Sequence, residues 1–162
     1  MTNRREALRI FTYASVGIAA FSMGTGVLGA SRNFKITMRN VDPSDRTKRM
    51  AFTPDILKVP AGSNITFEVA DGAHNTQSTP GMIPDGAAGW QFGIRKTGTI
   101  TLTKPGFYGY HCMPHRAMGM VGLIIVEGPG MMNNLAAAKE VPQPAKAAAR
   151  WSNIWRRVER MV

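Results

Sequence analysis

"TGTITLTKPGFYGYHCMPHRAMGMVGLIIVE" runs from Thr97 to Glu127. Its first half reads as two strands around a Lys104-Pro105-Gly106 turn. Its last eight residues, "MVGLIIVE", form a continuous apolar run, the pattern of a strand buried on both faces. The loop between them holds Cys112, the only cysteine of the chain, and His115, with His111 directly before the cysteine. Met113, Met118 and Met120 add three thioethers, and Pro114 and Gly119 shape the turns.

Working outward, "FKITMRN" alternates Phe34, Ile36 and Met38 against polar neighbours, as a half-buried strand does. "VDPSDRTKRM" reads as a polar loop. "AFTPDILKVPAGS" is a short strand interrupted by Pro54 and Pro60, and "NITFEVA" turns Ile65, Phe67 and Val69 inward. "DGAHNTQSTPGMIPDGAAGW" is a long loop rich in Gly and Pro, of a length that usually carries function. With about seven short strands separated by turn signals, the fold class is mainly β, a Greek-key two-sheet sandwich.

After Gly128-Pro129-Gly130 the pattern changes to helix. Residues 133–140 suit a short helix capped by Asn133 or Asn134. A second helix is expected over 144–161, with Pro144 in its first turn and Ala148, Trp151, Ile154, Trp155, Val158 and Met161 forming one apolar stripe. The expected organisation is therefore 1–30 as an export signal, 31–128 as the sandwich, and 129–162 as two C-terminal helices packed on it.

The signal reading rests on Arg4, Arg5 and Arg9 ahead of an uncharged stretch ending in small residues at Ala30; the Arg4-Arg5 pair suits twin-arginine export. This places the protein in the periplasm, with no stable membrane association after cleavage. Losing three Arg and one Glu from 20 basic and 10 acidic residues leaves 17 and 9, a net +8. Such a surface favours acidic partners. It carries no reader motif for nucleic acid. A lone cysteine in an exported chain makes no internal disulfide, which leaves a free thiol or a ligand.

Cys112, His115 and Met120 can supply three donors from one loop. His74, the only histidine outside that loop, sits in the other functional-looking loop and can supply the fourth. Two imidazoles, one thiolate and a weak axial thioether are the donor set of electron-transfer copper. Soft sulfur ligands suit Cu(I), imidazoles suit both oxidation states, and two loops held by a sandwich allow little rearrangement between them.

In these residues the chain resembles the cupredoxins, and most closely their pseudoazurin branch. "FTPDILKVPAGSNITFEV" is similar to the second and third strands of that family. "HNTQSTPGMIPDGA" looks like the loop of its first histidine, "PGFYGYHCMPHRAMGMVGLIIV" like its ligand loop, and "NLAAAK" like the start of its trailing helices. The resemblance implies one type 1 (blue) copper ion held by His74, Cys112, His115 and Met120. It also implies a backbone hydrogen bond from Asn75 toward the Cys112 sulfur. Pro114 has no N–H to give a second one, which should lower the reduction potential. Strand alternation turns His111 away from the metal, as a surface or groove residue.

The implied function is a monomeric redox carrier, not an enzyme. It would shuttle single electrons to respiratory or denitrification enzymes such as a copper nitrite reductase, with a cytochrome as donor. Electrons would leave at His115 through an apolar patch of Met82, Pro84, Met113, Pro114 and Met118, ringed by Arg95, Lys96, Lys104 and Arg116 for partners with acidic patches. Oxidase chemistry would need more than the three histidines present. The alternative is a periplasmic copper storage or delivery protein using the methionines.

Overall fold

The computed structural model describes residues 32–162; the expected export signal at 1–30 lies outside the described residues. The order is β1 (Asn33–Asp42), β2 (Asp45–Thr53), β3 (Ile56–Pro60), β4 (Ser63–Val69), β5 (Gln77–Ser78), β6 (Gly98–Leu102), β7 (Gly106–His111), β8 (Val121–Glu127), α1 (Leu135–Glu140) and α2 (Ala145–Val158). Two four-stranded sheets face each other, β2-β1-β4-β6 and β3-β8-β7-β5. Within them β1 runs parallel to β4 and β3 parallel to β8, the other pairings being antiparallel. The chain changes sheet between β2 and β3 and again between β3 and β4, which gives the sandwich its Greek-key wiring.

The stretch 41–50 corrects the expectation of a polar loop. It is the tip of a hairpin: β1 and β2 pair through to Asp42 and Asp45, with a shift of register between Val41 and Asp42, and Asp42 Oδ1 accepts bonds from the Ser44 N–H and hydroxyl at 2.9 and 2.6 Å to shape the turn. β2 is an edge strand, and its outward Arg46 and Arg49 are charges of the kind that discourage pairing with another chain. Charge on an edge strand reads as loop when only composition is seen.

The core has two layers, and β7 and β8 serve both. Tyr108, Tyr110, Ile124 and Val126 face the inter-sheet core with Ile36, Met38, Phe52, Ile65 and Phe67. Their neighbours Phe107, Leu123 and Ile125 face the other way, onto Ala147, Trp151, Ile154 and Val158 of α2. This alternation is why "MVGLIIVE" is apolar throughout. Burying one such side chain contributes about 1.5–3 kcal/mol.

The helices depart from expectation in detail. The first begins as a 3-10 turn, Met131–Asn134, before α1. Asn134 caps nothing with its side chain; its amide pairs with the Phe107 backbone instead, Oδ1 accepting from the N–H at 3.0 Å and Nδ2 donating to the carbonyl at 2.8 Å. In α2 the buried stripe runs through Ala147, not Ala148, and Met161 lies beyond the helix and exposed. Trp151 and Trp155 stack at 5.2 Å. Arg157 bonds Asp55 Oδ2 at 2.6 Å, tying the helix to the start of β3.

Candidate metal centre

β7 delivers Cys112 at its C-terminal end, where the ligand loop leaves the sheet. The loop is closed by its own backbone: the Cys112 N–H donates to the Met120 carbonyl at 3.0 Å, and the Met120 N–H to the His115 carbonyl at 3.1 Å. The His115 N–H returns to the Cys112 carbonyl at 3.2 Å. A single 3-10 turn, Arg116–Met118, follows His115 and ends on Gly119 at φ 92°, a left-handed position that glycine adopts without strain. Cys112, His115 and Met120 are thus brought to one end of the sandwich.

His74 arrives from the loop between β4 and β5. That loop is held by the segment 90–95: the Phe92 N–H donates to Thr76, the Arg95 N–H to the His74 carbonyl at 2.8 Å, and Asn75 Nδ2 to the Phe92 carbonyl. Trp90 stacks on Phe67 and its Nε1 bonds Thr76 Oγ1, which anchors the segment in the core. The two loops are joined directly, because Asn75 Oδ1 accepts the Met113 N–H at 2.7 Å.

The donor atoms of His74, Cys112 and His115 lie within 4.8 Å of one another. His74 Nδ1 and His115 Nδ1 are 3.1 Å apart, and Cys112 Sγ stands 3.4 Å from His115 Nδ1 and 4.0 Å from His74 Nδ1. Three donors around one ion, each at a typical metal bond of about 2.0–2.3 Å, have such separations. Met120, wholly buried, packs in the same core cluster as Cys112. Burial, and then the neighbouring His115, hold His74 below the usual imidazole range, which favours the neutral, metal-binding form. Burial raises the Cys112 thiol, opposed by the backbone N–H groups of Asn75 and His115. A buried thiol of this kind becomes a stable thiolate when a cation stands beside it.

Asn40, on β1, escaped the sequence reading. Its Oδ1 lies 3.1 Å from His74 Nε2, so the Nε2–H donates to it and Nδ1 is left free to bind. Gly72, at φ +71°, keeps that contact open: a Cβ there would fall 2.5 Å from Asn40 Oδ1 and 2.8 Å from His74 Nε2. Alternation puts Asn40 on the same inward face as Ile36 and Met38, but near the end of the strand it does not say which group the amide meets.

The expected exit surface is only partly present. Met113 and Met118 are exposed, 56% and 49%, and Pro114, Arg95, Lys96 and Lys104 are exposed as well. Met82 and Pro84, expected in the same patch, are buried; Met82 packs against Phe107 and the helices, and Pro84 fills the space beside Gly106. Arg116 is half-buried and bonded to Gln143. His111 does face away from the metal, but it is 3% exposed and not on the surface. It shares a hydrogen bond with Thr79 Oγ1 at 2.8 Å, and burial, with Arg116 nearby, lowers its pKa to about 4. The helices cover the face on which alternation places it.

Residues 39–127 match the family described as copper binding proteins of the plastocyanin/azurin type. The chain is 32% identical over 142 residues to a pseudoazurin of Paracoccus pantotrophus, across 87% of this chain and 94% of that protein. A pseudoazurin of Methylorubrum extorquens is 33% identical over 122 residues, across 75% and 79%. Among solved structures, a pseudoazurin from Sinorhizobium meliloti superposes with a TM-score of 0.73 at 36% identity, covering 79% of this chain and 97% of that one. With the fold, the donor set and the sequence in agreement, the chain belongs to the plastocyanin/azurin family of copper-binding proteins.

Proposed function

We propose that the protein is a periplasmic one-electron carrier whose single type 1 copper ion is held by His74, Cys112, His115 and Met120. The observation that carries this reading is the convergence of two imidazoles and one thiol within 4.8 Å on two loops cross-linked by Asn75. Copper bound there supplies a one-electron couple between Cu(II) and Cu(I). The residues hold the donors still: the Asn40 bond orients His74, and the closed backbone ring orients His115 and Met120. No substrate is transformed and no enzyme activity is assigned.

His74 is fully buried while His115 is partly exposed, which supports the His115 edge as the route by which electrons leave. Met113, Pro114 and Met118, close to His115 along the loop, are exposed, and Arg95 and Lys96 supply positive charge for an acidic partner such as a nitrite reductase, with a cytochrome as donor. With the export signal expected at 1–30, the carrier would be delivered to the periplasm and work there as a monomer.

The test is the visible and paramagnetic-resonance spectrum of the copper-loaded protein. Strong visible absorption in the oxidised state, abolished by Cys112→Ser, is expected; a colourless oxidised protein overturns the reading.

A further inference from the structure

The ligand loop is gripped from outside by the segment that leads into α2. Arg116 donates to Gln143 Oε1 from Nη2 at 3.0 Å and from Nε at 3.3 Å, and its Nη2 also reaches the Pro142 carbonyl at 3.5 Å. Gln143 is itself fixed, its Nε2 donating to the buried Met82 Sδ at 3.2 Å. Two residues on, the first turn of α2 presses on the loop: a Cβ on Gly119 would stand 3.2 Å from the Lys146 carbonyl oxygen and 3.9 Å from Arg150 Cβ. Arg116 opens the 3-10 turn and Gly119 closes it, and these two sit directly after His115 and directly before Met120.

We propose that Arg116 and Gln143 are positioning residues for the metal centre, locking the turn between His115 and Met120 onto the start of α2 and so setting how closely Met120 faces Cys112. This rests on the copper-carrier reading and goes beyond it. It moves Arg116 from the docking ring, where its charge alone placed it, to the support of the site. It also gives the C-terminal helices a part in the redox properties of a centre to which they contribute no ligand. A thioether held by its own chain geometry, rather than by a strong bond to the metal, takes its position from whatever holds the loop.

The experiment compares Arg116→Ala, Gln143→Ala, their double variant and Gln143→Glu. In copper-free protein, amide exchange is read at Met118, Gly119 and Met120, whose N–H groups close the turn. Arg116→Ala and Gln143→Ala should each speed it by about tenfold or more, with β1 and β4 unchanged. In copper-loaded protein both should alter the balance of the visible bands and the paramagnetic-resonance pattern. The double variant should cost less than the sum of the two single ones, because the Arg116–Gln143 contact they share is lost only once. Gln143→Glu keeps the acceptor for Arg116 while losing the donor to Met82, and should lie closer to the unaltered protein than Gln143→Ala does. Unchanged exchange and spectra, a Gln143→Glu variant as impaired as Gln143→Ala, or faster exchange across the whole sandwich would each overturn the proposal. If the unaltered copper-loaded protein has no visible band, the carrier reading fails, and the exchange comparison in copper-free protein still judges the clamp.

Discussion

Asn40 Oδ1 and His74 Nε2 are 3.1 Å apart, so a side chain from β1 decides which nitrogen of His74 is free to bind a metal. Asn40→Ala should therefore weaken copper binding by roughly 10–100-fold, the usual cost of losing such a partner. Competition with a chelator of known affinity measures it. Unchanged affinity would mean that the His74 loop alone orients the ring.

Gly72→Ala attacks the same contact from the other side. The new methyl would collide with both Asn40 and His74 and would also stand at a positive φ, which costs a non-glycine residue about 1–2 kcal/mol. The expected result is a loss of both stability and metal affinity. Chemical unfolding and the chelator competition read the two effects separately.

His111 makes the metal-free protein acid-sensitive. Its folded-state pKa of about 4 lies below the ordinary imidazole value of 6.5, so between these two pH values the unfolded chain holds a proton that the folded chain does not. Its contribution is intact above about pH 6.5 and falls away as pH drops toward 4, by up to roughly 3 kcal/mol. His111→Gln should flatten that part of the stability profile, since every other titrating group is common to both proteins and cancels in the difference. The visible colour of the copper-loaded variant should survive. A profile parallel to that of the unaltered protein would show that His111 charges freely in the fold.

Asn134→Ala removes the partners of both the N–H and the carbonyl of Phe107 in β7. Leaving these partly buried backbone groups unpaired should cost about 1–3 kcal/mol. Asn134→Asp keeps only the acceptor and should fall between. Denaturant midpoints give the ranking.

Reversing Arg95 and Lys96 to Glu should slow electron transfer to an acidic partner and flatten its dependence on salt. Stopped-flow mixing over a range of ionic strength measures both. Rates unchanged at low salt would remove these residues from the docking face.

The donor cluster was legible because its chemistry is local: Cys112 and His115 lie close together in one loop, and His74 is the only histidine outside it. β1, β3, β4 and β6 to β8 were legible from alternation and from Pro and Gly, whereas the two-residue β5, inside the expected long loop, was not. What sequence did not reveal were contacts between distant segments. Asn40, on β1, meets His74 of the β4–β5 loop, and alternation in "MRN" gives the face of the asparagine but not its partner. His111 was assigned its direction correctly and its exposure wrongly, because alternation gives the face of a strand and not what covers it. Met82 and Pro84 went wrong for a related reason, as a loop has no period from which an inward residue can be told.

β8 is a partition with an apolar side chain on each face, and only one of those faces belongs to the sandwich. A chain cut near Gly128 could still close its two sheets, yet it would present Phe107, Leu123 and Ile125 to water as one oily wall. Apolar surface of that kind draws copies of a chain together into aggregates. Solubility is thereby written into the tail: a shortened descendant of this protein would have to repaint the outer face of β7 and β8 with polar residues before it could dispense with its helices.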